Sequence, residues 1–344
     1  MIRWNNDYNK GAHPAIIEAF AEYNGRSFEG YGLDEICEEA AEAIKAVIKR
    51  DDADVHFLVG GTQTNLTVIS SALRPFQSVI SINTGHINCH ETGAIENSGH
   101  KVQAIAGVDG KLTPEGIRKE AEYFAESDIK EHITEPKMVY ISFPTEYGTL
   151  YSKNEIEEIR KVCDEFGLYL FVDGARLGYG LGSRACDVTI EDIAKLSDVF
   201  YIGGTKCGAM FGEAVVISNN NLKKYFRSYI KMNGGMLAKG WTLGLQFLTL
   251  FKEGLYFEIT KHACETAARI ADAFKAKGFK MYFESPTNQQ FVIVNTDQMK
   301  KLGEKHIYEY DTKIDDNTHV IRFCTSWSTR DEDVEALISD IMNM

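Results

Sequence analysis

The chain has 344 residues, of which 44% are hydrophobic and 25% charged, with a formal net charge of -13. That length and balance describe a soluble globular protein with room for two domains, and set aside disordered and fibrous classes. The acidic charge opposes a phosphate backbone and no Lys/Arg run supplies a basic patch, so no nucleic-acid partner is expected.

The amino terminus, Met1 to Asp7, lacks the basic-then-apolar form of a signal peptide. No later apolar run is long enough to span a membrane, so a cytoplasmic protein without a membrane partner is expected. Asn5-Asn6-Asp7-Tyr8 and Gly30-Tyr31-Gly32 flank a helix opened by Pro14 and running through Ile16, Ile17 and Phe20. Residues 1–33 have too few apolar positions for a core of their own and read as an arm lying across the main domain or a partner subunit. From Asp34 a helix runs to Lys49, with Ile36, Ala40, Ile44 and Val47 at near-helical spacing.

Val55 to Val59 reads as a strand, followed by the turn Gly60-Gly61-Thr62-Gln63-Thr64-Asn65 and a helix over Leu66 to Leu73. A glycine turn feeding a helix amino terminus suits an anion, because free N–H groups and the helix dipole converge there. The strand Ser78 to Ile82 leads into His86-Ile87-Asn88-Cys89-His90-Glu91. The spacing of the two histidines matches one helical face, but Gly85 and Gly93 interrupt a helix, so one histidine stacking on a flat ring is preferred to a metal site. Strands over Val102 to Ala106 and Met138 to Phe143 are separated by a helix over Thr113 to Glu126, and the second feeds a polar loop containing Glu146. An amphipathic helix over Asn154 to Phe166 follows.

Leu168-Tyr169-Leu170-Phe171-Val172-Asp173 is an apolar run ending in one carboxylate, the pattern of a buried parallel strand. A second run, Asp198 to Ile202, is followed by Gly203-Gly204-Thr205-Lys206-Cys207-Gly208. The three glycines read as places where backbone approaches a ligand, and Thr205 as a hydroxyl for a phosphate oxygen. Alone, the string fits a surface turn equally well. Ligands of open α/β sheets sit at the carboxyl ends of strands, so Asp173 and Lys206 are placed to face one crevice. Pyridoxal phosphate requires such a pair, a lysine for the Schiff base and an acid for the pyridine nitrogen.

After a last strand over Ala214 to Ile217, the stretches Leu222 to Met232 and Trp241 to Ala276 read as helical. Strands over Phe291 to Asn295 and Thr318 to Cys324 and a helix over Thr329 to Met342 complete a smaller α/β unit. The expected division is an arm at 1–33, a large cofactor-binding domain at 34–249 with a mainly parallel sheet, and a small carboxy-terminal domain at 250–344. The seven cysteines show no CxxC spacing and read as reduced core residues, with Cys207 a packing residue rather than a reactive thiol.

Taken in order, Gly60-Gly61-Thr62, His86, Asp173-Gly174-Ala175-Arg176 and Gly203-Gly204-Thr205-Lys206 resemble the threonine aldolases of the aromatic amino acid β-eliminating lyase group. Asn6-Asp7, Tyr31-Gly32-Leu33-Asp34 and Ile321-Arg322-Phe323 extend the resemblance across nearly the whole chain. It implies the type I pyridoxal phosphate (aminotransferase-like) fold and cleavage of L-threonine or L-allo-threonine to glycine and acetaldehyde. The roles it implies are Lys206 holding pyridoxal phosphate, Asp173 on the pyridine nitrogen, His86 stacked on the ring, and Gly61, Thr62 and Thr205 on the phosphate. Asn6, Tyr31, Arg176 and Arg322 would bind substrate, in a homodimer or homotetramer. Departures from the family pattern are Asn6 in place of a serine, Glu146 in place of a second histidine, and Leu237 in place of an arginine. His86 and Glu146 both remain candidates for the catalytic base. The competing readings are another pyridoxal phosphate lyase or transferase of small β-substituted amino acids, and a non-catalytic binding protein of the same fold.

Overall fold

The computed structural model describes all 344 residues. The chain starts in a short strand, β1 (Ile2–Arg3), continues through helices α1 (Pro14–Tyr23) and α2 (Glu35–Ile48), and enters a seven-stranded sheet. The strands of that sheet are β2 (Asp54–Leu58), β3 (Gln77–Ile82), β4 (Lys101–Ile105), β5 (Glu135–Ser142), β6 (Tyr169–Asp173), β7 (Val199–Gly203) and β8 (Glu213–Ile217). Their spatial order is β2-β8-β7-β6-β5-β3-β4. From β4 to β7 every pairing is parallel, whereas β8 runs antiparallel to both β7 and β2. The reason is length: residues 204–212 are too few for the crossover that a parallel return demands.

Alternate residues of these strands serve opposite faces, as the pleat requires. Ile80, Val139, Ile141, Leu170, Val172, Phe200, Ile202 and Val216 join the larger apolar cluster with α2. Val79, Met138, Tyr140, Phe171, Val199, Tyr201 and Val215 join a second cluster with helix α3 (Gly61–Ala72). Asp173 ends β6 in phase with Phe171, and so projects on the α3 face.

A second sheet, in the order β12-β13-β10-β9, is antiparallel throughout. It comprises β9 (Lys280–Met281), β10 (Gln289–Asn295), β12 (Glu309–Lys313) and β13 (Thr318–Cys324), while β11 (His306–Ile307) pairs in parallel with β1. Residues from both ends of the chain share the third cluster, where Trp4 packs with Ile270, Phe274, Val292, Phe323 and Leu337. The Trp4 indole donates to His306 Nδ1 at 3.2 Å, and its carbonyl accepts from Cys324 N at 2.7 Å. The first residues are thus built into the carboxy-terminal sheet. No helix is long and apolar enough to cross a membrane.

Several boundaries differ from the sequence reading. Helix α3 begins at Gly61 rather than Leu66, with both Gly60 and Gly61 taking part in the helix start. The stretch 222–232 breaks at Tyr225, which is left-handed with φ 65°, and 241–276 breaks at Gly254, with φ 75°. Strand β12 was not expected, because Glu-Tyr-Asp-Thr-Lys carries no apolar alternation to mark an edge strand. Trp4→Ala should destabilise the protein by about 3–5 kcal/mol in urea unfolding, the cost of an emptied aromatic site, and should expose residues 1–10 to limited proteolysis.

Candidate active site

The chemistry-bearing side chains converge at the carboxyl ends of β5, β6 and β7. Asp173 is buried there, with four donors on its two oxygens. Tyr201 Oη and Ala175 N (2.9 Å) donate to Oδ1, and Tyr140 Oη and Asn65 Nδ2 (3.1 Å) donate to Oδ2. Burial alone would raise the pKa, but the adjacent His86 and these donors outweigh it and hold the carboxyl below its usual range. The anion is therefore fixed in place and kept ionised.

Beyond β7 the chain turns through Gly203, Gly204 and Thr205 to Lys206. The glycines serve protein packing rather than a ligand: a Cβ on Gly203 would stand 2.2 Å from Ala175 O, and one on Gly204 2.7 Å from Gly212 O. Thr205 is similarly committed. Its Oγ donates to Glu213 Oε1 at 2.9 Å and accepts from Gly212 N, while Glu213 Oε2 accepts from Gly204 N at 3.0 Å. The hydroxyl proton expected to meet a phosphate is thus spent on a buried glutamate. Burial and the neighbouring Arg176 push the Lys206 amine below its usual pKa, favouring the neutral nucleophile. Burial pushes the Cys207 thiol up to about 12, so this side chain packs rather than reacts.

Across the cleft stands the amino terminus of α3. Gly60 caps it without a side-chain hydrogen bond, and a Cβ built on Gly60 would meet nothing within 4 Å. The N–H groups of the first turn are left for a ligand. Next to it, His86 Nδ1 pairs with Glu91 Oε1 at 2.8 Å, and Asn65 Nδ2 donates to the same oxygen at 2.7 Å. Asn65 thus connects the histidine's partner to Asp173. Glu146 Oε1 accepts from His86 N (2.9 Å) and Ser142 Oγ (2.6 Å), whereas Oε2 is buried without a partner. Burial raises the pKa of this carboxyl.

One cleft of about 400 Å³ is lined by Gly61, Thr62, His86, Glu146, Asp173, Arg176, Thr205 and Lys206. Three of the expected residues lie elsewhere. Asn6 accepts from Tyr8 N and faces a separate depression with Arg3 and Lys10. Tyr31 lines another depression of about 280 Å³, its carbonyl held by Arg227 Nη2 at 2.9 Å. Arg322 donates to Asn5 O at 3.3 Å and keeps a buried, unpartnered Nε outside the cleft. The sequence reading gave no site role to Glu213, Tyr140, Tyr201, Asn65 or Glu91, and no partner to Asp7, which pairs with Arg176. An acid opening the otherwise apolar Glu213 to Ile217 was a usable signal; the tyrosines inside apolar strands were not.

Mixed sheet and cleft together define the class, an aminotransferase-like α/β enzyme with a buried lysine in its cleft. The chain belongs to the beta-eliminating lyase family, whose model matches residues 11–297. It is 29% identical to the low specificity L-threonine aldolase of Pseudomonas sp. (strain NCIMB 10558), over 98% of this chain and 96% of that one. The solved threonine aldolase of Leishmania major is 43% identical, with a TM-score of 0.97 and coverage of 100% of this chain and 99% of that one. An aspartate aminotransferase from Thermus thermophilus, 15% identical at a TM-score of 0.71 over 100% of this chain and 91% of that one, shares the fold.

Burial, opposed by Thr205, Lys206 and Gly204, pushes the Glu213 carboxyl from 4.5 up to about 8. Between those values the folded state binds more protons than the unfolded one, so this group makes the protein lose stability as pH rises. Glu213→Gln removes that loss. The melting temperature of the variant, relative to the parent, should climb from pH 5 to pH 8 in cofactor-free protein.

Proposed function

We propose that the protein is a pyridoxal phosphate-dependent carbon–carbon lyase that cleaves L-threonine or L-allo-threonine to glycine and acetaldehyde. The observation that carries this reading is the shared cleft of Lys206, Asp173 and His86 opposite the uncapped start of α3. The near-complete alignment with threonine aldolases supports it.

The residues fit the cofactor. Open space over Gly60 and the free N–H groups of α3 suit its phosphate, with Gly61 and Thr62 as donors. Lys206 supplies the amine for its aldehyde, and Asp173 the carboxylate for its ring nitrogen. When bound, the cofactor supplies an electron sink for the pair left on Cα as the Cα–Cβ bond breaks. The remaining work falls to protein groups. Arg176 lines the cleft and offers a fork for the substrate carboxylate. The β-hydroxyl proton must leave as the bond breaks, and His86 is the better placed acceptor. Its Nδ1 is held by Glu91, leaving Nε2 for the cleft, and its side chain is 36% accessible. Glu146 has one oxygen occupied by two donors and the other sealed from solvent, so it holds the backbone of His86 in place.

Purified protein should show cofactor absorbance and release glycine from one or both threonine isomers. Lys206→Ala should lose both the borohydride-fixed adduct and turnover. Dominant serine dehydration or transamination, with no glycine from either isomer, refutes the aldolase reading.

We also propose a homodimer in which each cleft receives Tyr31 from the partner. Tyr31 is non-glycine yet left-handed (φ 64°), 47% exposed and outside its own cleft. A left-handed non-glycine residue is held so by its surroundings, and such residues cluster at functional sites. Mixing inactive Lys206→Ala and inactive Tyr31→Ala chains should restore activity in the hybrid; isolated hybrids that stay inactive would end this proposal.

A further inference from the structure

Arg176 does not meet the cleft as a free cation. Its Nε donates to Asp7 Oδ2 at 2.7 Å and its Nη2 to Asp7 Oδ1 at 3.1 Å, a side-on, two-point pair between residues 169 apart in sequence. The Asp7 side chain is wholly inaccessible and the Arg176 side chain 15% accessible. A third residue fixes the acid from behind: Asn288 Nδ2 donates to Asp7 Oδ2 at 2.9 Å and to Thr325 O at 2.9 Å. Burial alone would raise the Asp7 carboxyl, but Arg176, Lys206 and Asn288 together hold it down to about 2. The same pairing drives the Arg176 guanidinium above its usual pKa against the cost of burial.

A guanidinium has two edges able to take a carboxylate at two points. Asp7 occupies the Nε–Nη2 edge, and the Nη1–Nη2 edge is the one left where Arg176 lines the cleft. We infer that Asp7 is a positioning residue for substrate: it locks Arg176 so that the Nη1–Nη2 edge, and only that edge, receives the α-carboxylate of the amino acid. Two consequences follow from the chemistry. A monocarboxylate substrate is aligned by geometry more than by net charge, because the guanidinium charge is already balanced. Lysine at position 176 could not substitute, having no second edge to present.

This inference rests on the amino acid reading of the cleft, and the test separates the two. The bound cofactor's absorbance is titrated with glycine and with methylamine, which has the amine but no carboxylate, in the parent and in Asp7→Asn. Asparagine keeps the volume but has one acceptor oxygen, an NH2 in place of the other, and no charge. The expected result is a loss of glycine affinity of about 10- to 100-fold, the scale of a broken two-point charged contact, with methylamine binding unchanged. In turnover, KM should rise more than kcat falls. Melting temperature and cofactor absorbance report folding. If Asp7→Asn does not hold the cofactor, Asp7→Glu is used, which keeps the charge but displaces the guanidinium and should show the same split between the two amines. Equal losses for glycine and methylamine, or no loss in either variant, overturn the role of Asp7. A parent protein whose absorbance ignores glycine would instead overturn the reading of the cleft.

Discussion

The cleft depends on how closely two strand ends approach each other. A Cβ on Gly174 would lie 1.9 Å from Tyr201 O, and Gly203 N donates to Gly174 O at 2.9 Å. With no side chain at either glycine, the turns after β6 and β7 touch backbone to backbone. That contact sets Ala175 and Arg176 against the Lys206 loop, and brings Tyr201 Oη onto Asp173. Any larger residue would push the amine and the acid apart, so the pairing of these two groups is a packing result before it is a chemical one.

Around this contact the site is assembled from polar groups that hold one another. Asn65 spans Glu91 and Asp173, Glu146 holds the backbone of His86, and Glu213 holds Gly204 and Thr205. Each has a low-dielectric setting in which a fixed donor is worth more than in water. The sheet's single reversal serves the same end. Because β8 returns antiparallel, its first residue, Glu213, lies opposite Gly203 in register and so beneath the lysine turn. A parallel return would have started that strand at the far edge of the sheet.

Groups set by local pattern were readable in the sequence, and groups set by register were not. Asp173 and Lys206 stand out because each follows an apolar run directly, and His86, Arg176 and Glu146 follow strands in the same way. Tyr140 and Tyr201 looked like ordinary strand aromatics; only the pleat, which puts them on one face with Phe171, turns their hydroxyls toward Asp173. At the amino-terminal pair the structure draws attention to the other residue. Asn6 was given the contact with substrate; the buried partner of Arg176 is its neighbour Asp7, a pairing across 169 residues that no local pattern marks. The split of 241–276 at Gly254 and the polar edge strand β12 left too little apolar contrast to be seen.

The stitching of residues 2–7 into the carboxy-terminal layer bears on how the protein is made. Trp4 and Asp7 are synthesised well before their partners His306, Cys324 and Asn288. During translation the large sheet can form while the amino-terminal segment still lacks its strand and its tryptophan pocket. At that stage Asp7 and Arg176 are both present, but Asn288, which fixes the acid from behind, is not yet made. A product stalled before residue 288 would carry the lysine, the aspartate, the histidine and Asp7 itself, and still lack the amide that holds Asp7 in place beside Arg176.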